Sequence, residues 1–228
     1  MQNSREYKGL AIVISRTNYG EADRIIHFLT PIGVISAMAR GSRREKSRLR
    51  GGCEPWALNE ISVQLGKGLG TVKAARAEYL YEKIIYDFTA MEAAADVIKL
   101  LKKTTRDHDN PYFFQILREV LTELEQTTRH AAVILWAYLQ ITRAADIQLN
   151  LTHDADGEAL GAEENYAFSV SDNAFVKSEP GAQNIYTARH IKLLRVATSV
   201  DLATFLKVDG TDDLLPLCMA YTRAQLQQ

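Results

Sequence analysis

The sequence predicts a multidomain α and β protein: a small closed barrel of five short strands over residues 1–80, then an α-helical domain over residues 81–228 with a small β-hairpin lobe near residues 149–181. Three observations predict it. Apolar residues recur at every second position until about residue 78 and at helical spacing from about residue 79. Five strands in under 80 residues leave unpaired edges unless the sheet closes on itself. Charge divides at the same place: residues 1–80 hold 13 Lys or Arg against 7 Asp or Glu, net +6, whereas residues 81–228 hold 14 against 21, net −7. A near-neutral total of −1 thus conceals a basic and an acidic module.

Residues 8–16 (KGLAIVISR) open the barrel, with Leu10, Ile12 and Ile14 on one face and Val13 on the other, as in a strand buried mostly on one side. Residues 24–30 (RIIHFLT) and 34–40 (VISAMAR) follow, separated by Pro31 and Gly33. Ile61, Val63 and Leu65 alternate with Ser62, Gln64 and Gly66, and the glycine-rich residues 66–70 (GKGLG) turn that strand into residues 71–78.

Helical spacing is clearest at Phe113, Ile116, Leu117, Val120, Leu121 and Leu124, with Asn110 placed as an N-cap and Pro111 at the first helical position. Residues 92–103 and 129–147 read as helices on either side, the second apolar nearly all round and so central in a bundle. Residues 166–170 and 175–177 flank Ser171, Asp172 and Asn173 as a hairpin. Two last helices cover residues 188–198 and 212–225, with Thr187 and Thr211 as N-caps.

Several function classes find no support. Residues 1–15 turn polar at Ser15, unlike an export signal, and the most apolar later stretch, residues 131–141, is about half of the roughly 20 residues that a membrane-spanning helix needs. Cys53 and Cys218 stand far apart, outside any CxxC, so neither a disulfide framework nor a thiolate zinc site is expected, and a reducing cytoplasm is the expected compartment. The GKGLG stretch lacks the spacing of a phosphate-binding Walker loop. His153, Asp154, Asp156 and Glu158 fall short of a calcium loop, and they read as an acidic surface. His27, His108, His130 and His190 are scattered, with no HExxH and no GxSxG, so no catalytic residue, metal or cofactor is assigned.

The strongest chemical feature is residues 40–50 (RGSRREKSRLR), in which Arg40, Arg43, Arg44, Lys46, Arg48 and Arg50 face a single acid, Glu45. Lying between two strands and rich in small polar residues, this is an exposed loop. Like charges held together repel, and a phosphate backbone relieves that repulsion through charge-assisted bonds and counterion release. Nucleic acid is therefore the expected partner, with Lys67 and Lys73 widening the patch. Tyr7, Tyr19, Phe28 and Trp56 are candidates for base stacking, although core or turn packing is the commoner use of such rings.

An ordered set of residues then resembles a known family. Tyr19-Gly20-Glu21 with Asp23-Arg24, Thr30 and Gly33, Ala39-Arg40-Gly41 with Ser47-Arg48-Leu49, Pro55-Trp56, and Gly66 through Thr71 to Glu78 together resemble the bacterial recombination mediator RecO. The resemblance implies an oligonucleotide-binding (OB) barrel followed by a helical domain. It implies binding of single- and double-stranded DNA, annealing of complementary strands and assistance in loading RecA onto strands coated by single-strand-binding protein. RecR and the acidic tail of single-strand-binding protein are the implied protein partners, with no membrane. Many relatives carry a four-cysteine zinc site in a small lobe of the second domain; residues 149–177 here contain no cysteine. Hairpin pairing and packing are expected to hold that lobe, under an acidic surface of Asp154, Asp156, Glu158, Glu163 and Glu164. Two other readings stand beside a non-enzymatic mediator: a nucleic-acid-modifying enzyme with carboxylates in the acidic half, and a scaffold whose basic loop binds acidic protein segments.

Overall fold

A computed structural model of the chain describes residues 6–105, 110–179 and 181–225. Compactness divides it into residues 1–128 and 129–228. The boundary expected at residue 80 coincides instead with the change from strand to helix.

The first unit is built on five strands: β1 (Glu6–Tyr19), β2 (Asp23–Thr30), β3 (Gly33–Ala39), β4 (Ala57–Gln64) and β5 (Gly70–Leu80). They close into a barrel in the order β1-β2-β3-β5-β4, antiparallel throughout except for the β3–β5 pair. The closed five-stranded barrel is the one that the strand pattern predicts, and the oligonucleotide-binding type is the one that the family resemblance implies. Its interior is filled by alternate residues from every strand, among them Val13, Ile26, Phe28, Ala37, Ile61 and Val72.

The inner face of β1 differs from expectation. Ala11 and Val13 belong to the barrel core, while Ile12 and Ile14 alternate with them and are buried all the same. The larger apolar face of β1 is thus the outer one, and a helix covers it. That helix is α3 (Tyr112–Leu124), which packs on β1 and β2, alongside α1 (Glu82–Tyr86) and α2 (Phe88–Thr104). All six stripe residues expected on α3 are buried. The Asn110 side chain accepts from the Tyr112 amide at 2.9 Å, so it caps the helix as expected, although the first regular residue lies after Pro111. In α2 the cap is Asp87, which accepts from the Thr89 and Ala90 amides. The short α1 escapes periodicity analysis, being only 5 residues long; Glu125 caps it by accepting from the Lys83 amide at 2.9 Å.

The second unit is centred on α4 (His130–Ala144), the helix apolar nearly all round, which packs against α5 (Ala188–Ser199), α6 (Leu202–Phe205) and α7 (Leu215–Gln225). The Arg129 guanidinium gathers the connection before α7 by donating to the carbonyls of Leu206 and Val208 and to the Thr211 hydroxyl. Helix α7 starts later than expected because the Leu214 amide closes a turn on the Thr211 carbonyl at 2.9 Å. Thr187 does precede α5, its amide donating to the His190 ring at 3.2 Å.

The hairpin of the lobe is β6 (Tyr166–Ser169) paired with β7 (Ala174–Lys177). Phe175 stacks on Tyr221 of α7 at 5.3 Å and meets Phe168, Tyr166 and Tyr186 edge-on, so an aromatic cluster ties the lobe to the helices. Asp154 departs from the acidic surface expected of it: it is 4% exposed and accepts from the Asp156 and Glu158 amides. A carboxylate that closes its own turn is withdrawn from solvent, and Asp156, Glu158, Glu163 and Glu164 remain outside. No helix among the described residues is long and apolar enough to cross a membrane.

Candidate nucleic-acid interface

The basic loop leaves β3 at Ala39 and returns as β4 at Ala57. Its base is fastened to the β1–β2 turn. Gly20 takes a left-handed φ of 56° there, and its carbonyl accepts from the Arg43 guanidinium at 3.1 Å. Asp23 accepts from the Gly41 amide at 2.7 Å, and the Arg43 amide donates to the Ala22 carbonyl at 2.9 Å. Successive turns follow, with the amides of Arg44, Ser47, Arg50 and Cys53 donating to the carbonyls of Gly41, Arg44, Ser47 and Arg50. Leu49 packs on the barrel core, and Cys53 is fully buried in it. The loop is therefore a folded appendage of the barrel rather than a free tether.

All six cations of residues 40–50 are exposed. Arg43 is engaged with Gly20, whereas the barrel's ion pairs among the described residues use Lys8, Arg16, Arg24 and Arg76 as cations. Arg40, Arg44, Lys46, Arg48 and Arg50 thus keep their charge for solvent or a ligand. Lys73 and Lys67 are exposed too, but differently placed. In the parallel β3–β5 pair Ala37 lies beside Gly70 and Met38 beside Thr71, so Lys73 follows the paired residues of β5 as Arg40 follows those of β3. Lys67 precedes Gly70 and so stands toward the start of β3, away from the loop.

Of the four aromatic candidates, Phe28 is fully buried in the core and cannot stack on a base. The Tyr7 hydroxyl donates to the Leu10 carbonyl at 2.8 Å within its own strand. Tyr19 is 56% exposed next to Gly20, at the root of the loop, and Trp56 is half-buried at its far end. The scattered histidines have local uses: His27 pairs with the Ser36 hydroxyl at 2.7 Å and His190 with Thr187, while His108 lies outside the described residues.

Two anchors were not legible as such. Glu54 receives Arg16 from β1 and Arg24 from β2. Gly52, in the 3-10 turn Gly51–Cys53, sits against the β5 backbone at Ala75 and Arg76. The Gly-Gly pair after the cation run was the available signal for the second; for the first there was none, since Glu54 is 38 residues from Arg16.

Burial alone raises the Glu54 carboxyl, but hydrogen bonds and charge from Arg24 and Arg16 outweigh it and hold the group below its ordinary value of 4.5. A carboxylate depressed in the folded state contributes stability that is present above its unfolded value and lost as pH falls through the folded one. Between about pH 5 and pH 2 the urea midpoint of the native chain is therefore expected to fall more steeply than that of Glu54→Gln, the two converging at the acid end. Parallel curves would remove Glu54 from the acid response.

The family profile described as "Recombination protein O N terminal" matches residues 1–81, the barrel and its loop. Curated relatives named "DNA repair protein RecO" align with the chain. The protein from Dehalococcoides mccartyi is 33% identical over 131 residues, covering 57% of this chain and 52% of that protein. The one from Bacillus pumilus is 28% identical over 208 residues, covering 89% and 80%. One from Bacillus cereus is 36% identical over 112 residues, covering 48% and 45%. The chain thus spans about half the length of the Dehalococcoides and Bacillus cereus relatives and four-fifths of the Bacillus pumilus one. Of the residues on which the resemblance was read from the sequence, Gly20 and Asp23 at the base of the basic loop, Arg24 on Glu54 and Gly41 at its first turn are ones that fasten that loop. Residues 1–81, the barrel and its loop, thus match the RecO N-terminal family model, and the chain is similar to curated RecO proteins over up to 89% of its length.

Proposed function

We propose that this protein is a non-enzymatic, DNA-binding mediator of recombination and repair. The observation that carries the reading is the loop of residues 40–50: five solvent-facing cations without carboxylate partners among the described residues, on a segment folded onto the rim of an oligonucleotide-binding barrel. Similarity to curated proteins named as DNA repair protein RecO supports the DNA-repair role. In this reading the loop holds phosphates of single- and double-stranded DNA. Its charge lowers the repulsion between two strands while leaving base edges free to pair, so complementary strands anneal with no chemical step. Loading of RecA onto strands coated by single-strand-binding protein, with RecR and the acidic tail of that protein as partners, completes the proposed role in the cytoplasm.

Six phosphate contacts would give a slope of log K against log salt of about −4 for single strands, at roughly −0.7 per contact. With Arg43 committed to Gly20, about five contacts and a slope of about −3.5 are expected. The test is a salt titration of a labelled single-stranded oligonucleotide with the full chain, followed by annealing of complementary oligonucleotides without nucleotide and with a chelator present. Salt-independent binding, or an absolute need for nucleotide, would overturn the reading. Displacement of DNA by an acidic peptide at much lower concentration than by a second oligonucleotide would favour the scaffold instead.

A further inference from the structure

We propose that the groove between β1, Pro55 with Trp56, and α2 receives an unstacked base of single-stranded DNA, with the Trp56 ring as its stacking platform and Lys99 and Lys102 on the flanking phosphates. The proposal rests on the DNA-binding reading above and adds a second contact to it. The groove holds about 420 Å³. Its apolar lining comes from Ile14, Ile98, Pro55 and Trp56, and the charged side chains that line it are all cations: Arg16, Lys99, Lys102 and Lys103. Arg16 is held by Glu54, whereas Lys99 and Lys102 are exposed and share one face of α2, three residues apart. An apolar slot with a cationic rim fits a ligand that presents a flat ring between anionic groups.

Trp56 itself points the same way. It has a φ of 62°, a left-handed conformation that a bulky aromatic rarely adopts and that persists only where its surroundings enforce it. The enforcing contact is the Trp56 carbonyl, which accepts from the Tyr81 amide at 2.9 Å as β4 begins. That conformation leaves the indole lining the groove, outside the barrel's core cluster. Continuity favours nucleic acid over an acidic peptide. Trp56 ends the same β3–β4 segment that carries the basic loop, and Arg16 lies three residues before Tyr19, roughly 10 Å along the strand. A strand held on the loop therefore leads toward the groove.

The test compares an oligothymidylate with an abasic oligonucleotide of the same length and charge, both titrated with the full chain. Trp56→Ala is expected to weaken oligothymidylate binding about tenfold and to leave abasic binding unchanged, with Trp56→Phe retaining most of the affinity. Lys99→Glu with Lys102→Glu is expected to weaken both. Oligothymidylate should also quench the intrinsic fluorescence of the native chain and not that of Trp56→Phe, since the other tryptophan, Trp136, is buried. The fluorescence arm decides the matter if Trp56→Ala fails to fold. Equal losses on both oligonucleotides, unchanged oligothymidylate binding, or quenching by an acidic peptide alone would each overturn the groove assignment. Should the native chain bind neither oligonucleotide, the DNA reading itself fails; should only the groove variants be silent, that reading stands without this contact.

Discussion

Replacing Arg44, Lys46, Arg48 and Arg50 together by Ala is expected to weaken single-strand binding about 100-fold near 0.1 M salt and to flatten the salt slope by nearly 3. Each phosphate contact releases a fraction of a condensed counterion, so the loss should be much the same for every base sequence. Arg43 is left in place because its guanidinium and its amide both fasten the loop to the β1–β2 turn. The four replaced side chains are exposed, so stability should move by no more than about 0.5 kcal/mol. Fluorescence anisotropy across a salt series, with a thermal melt as control, checks both halves. An unchanged affinity and slope in a folded variant would take the loop out of the DNA site.

The largest effect on stability is expected from a single methyl group. A Cβ at Gly52 would lie 2.3 Å from the Ala75 carbonyl carbon and 2.4 Å from the Arg76 amide nitrogen. Both are backbone atoms of a paired strand, Ala75 with Ile61 and Arg76 with Glu60, so relief requires the loop to lift or the barrel to open there. Gly52→Ala should destabilise the chain by about 3 kcal/mol, the upper range of overpacking. Gly51→Ala is the control: its Cβ meets nothing within 4 Å, and a change under about 0.5 kcal/mol is expected. Urea denaturation of the two variants separates a true close approach from a general intolerance of side chains in this turn. Equal and small effects in both would show that the loop does not press on β5. Because the same contact seats the basic loop, Gly52→Ala should also weaken DNA binding while every cation is still present.

Local features of the fold are legible in the sequence. The alternation of Ile61 and Val63, the spacing from Phe113 to Leu124, the capping role of Asn110 and the break at Pro31 and Gly33 each act within a few residues, so neighbours along the chain suffice to reveal them. The cation run was equally plain, because charge density in an unstructured composition needs no partner to be noticed. Misreadings came where a distant segment decided the outcome. Ile12 and Ile14 look like the inner face of β1, yet they face outward, since α3 arrives from a hundred residues away to cover them and the smaller Ala11 and Val13 fit the narrow barrel interior. Asp154 stands among acidic surface residues in the sequence, yet it is buried and closes its own turn.

The candidate site divides along the same line. That residues 40–50 are basic, exposed and placed between two strands follows from their order in the chain. That β3 and β5 run parallel, so that the residues after Thr71 follow β3 toward the loop, is a matter of register that no local pattern encodes. The fastening by Asp23, the Glu54 bridge, the seat of Gly52 and the groove beneath Trp56 likewise arise only when the barrel closes. Periodicity and charge are properties of a segment, whereas register and close approach are properties of a pair of segments, and pairs are chosen by the burial that the whole chain achieves at once.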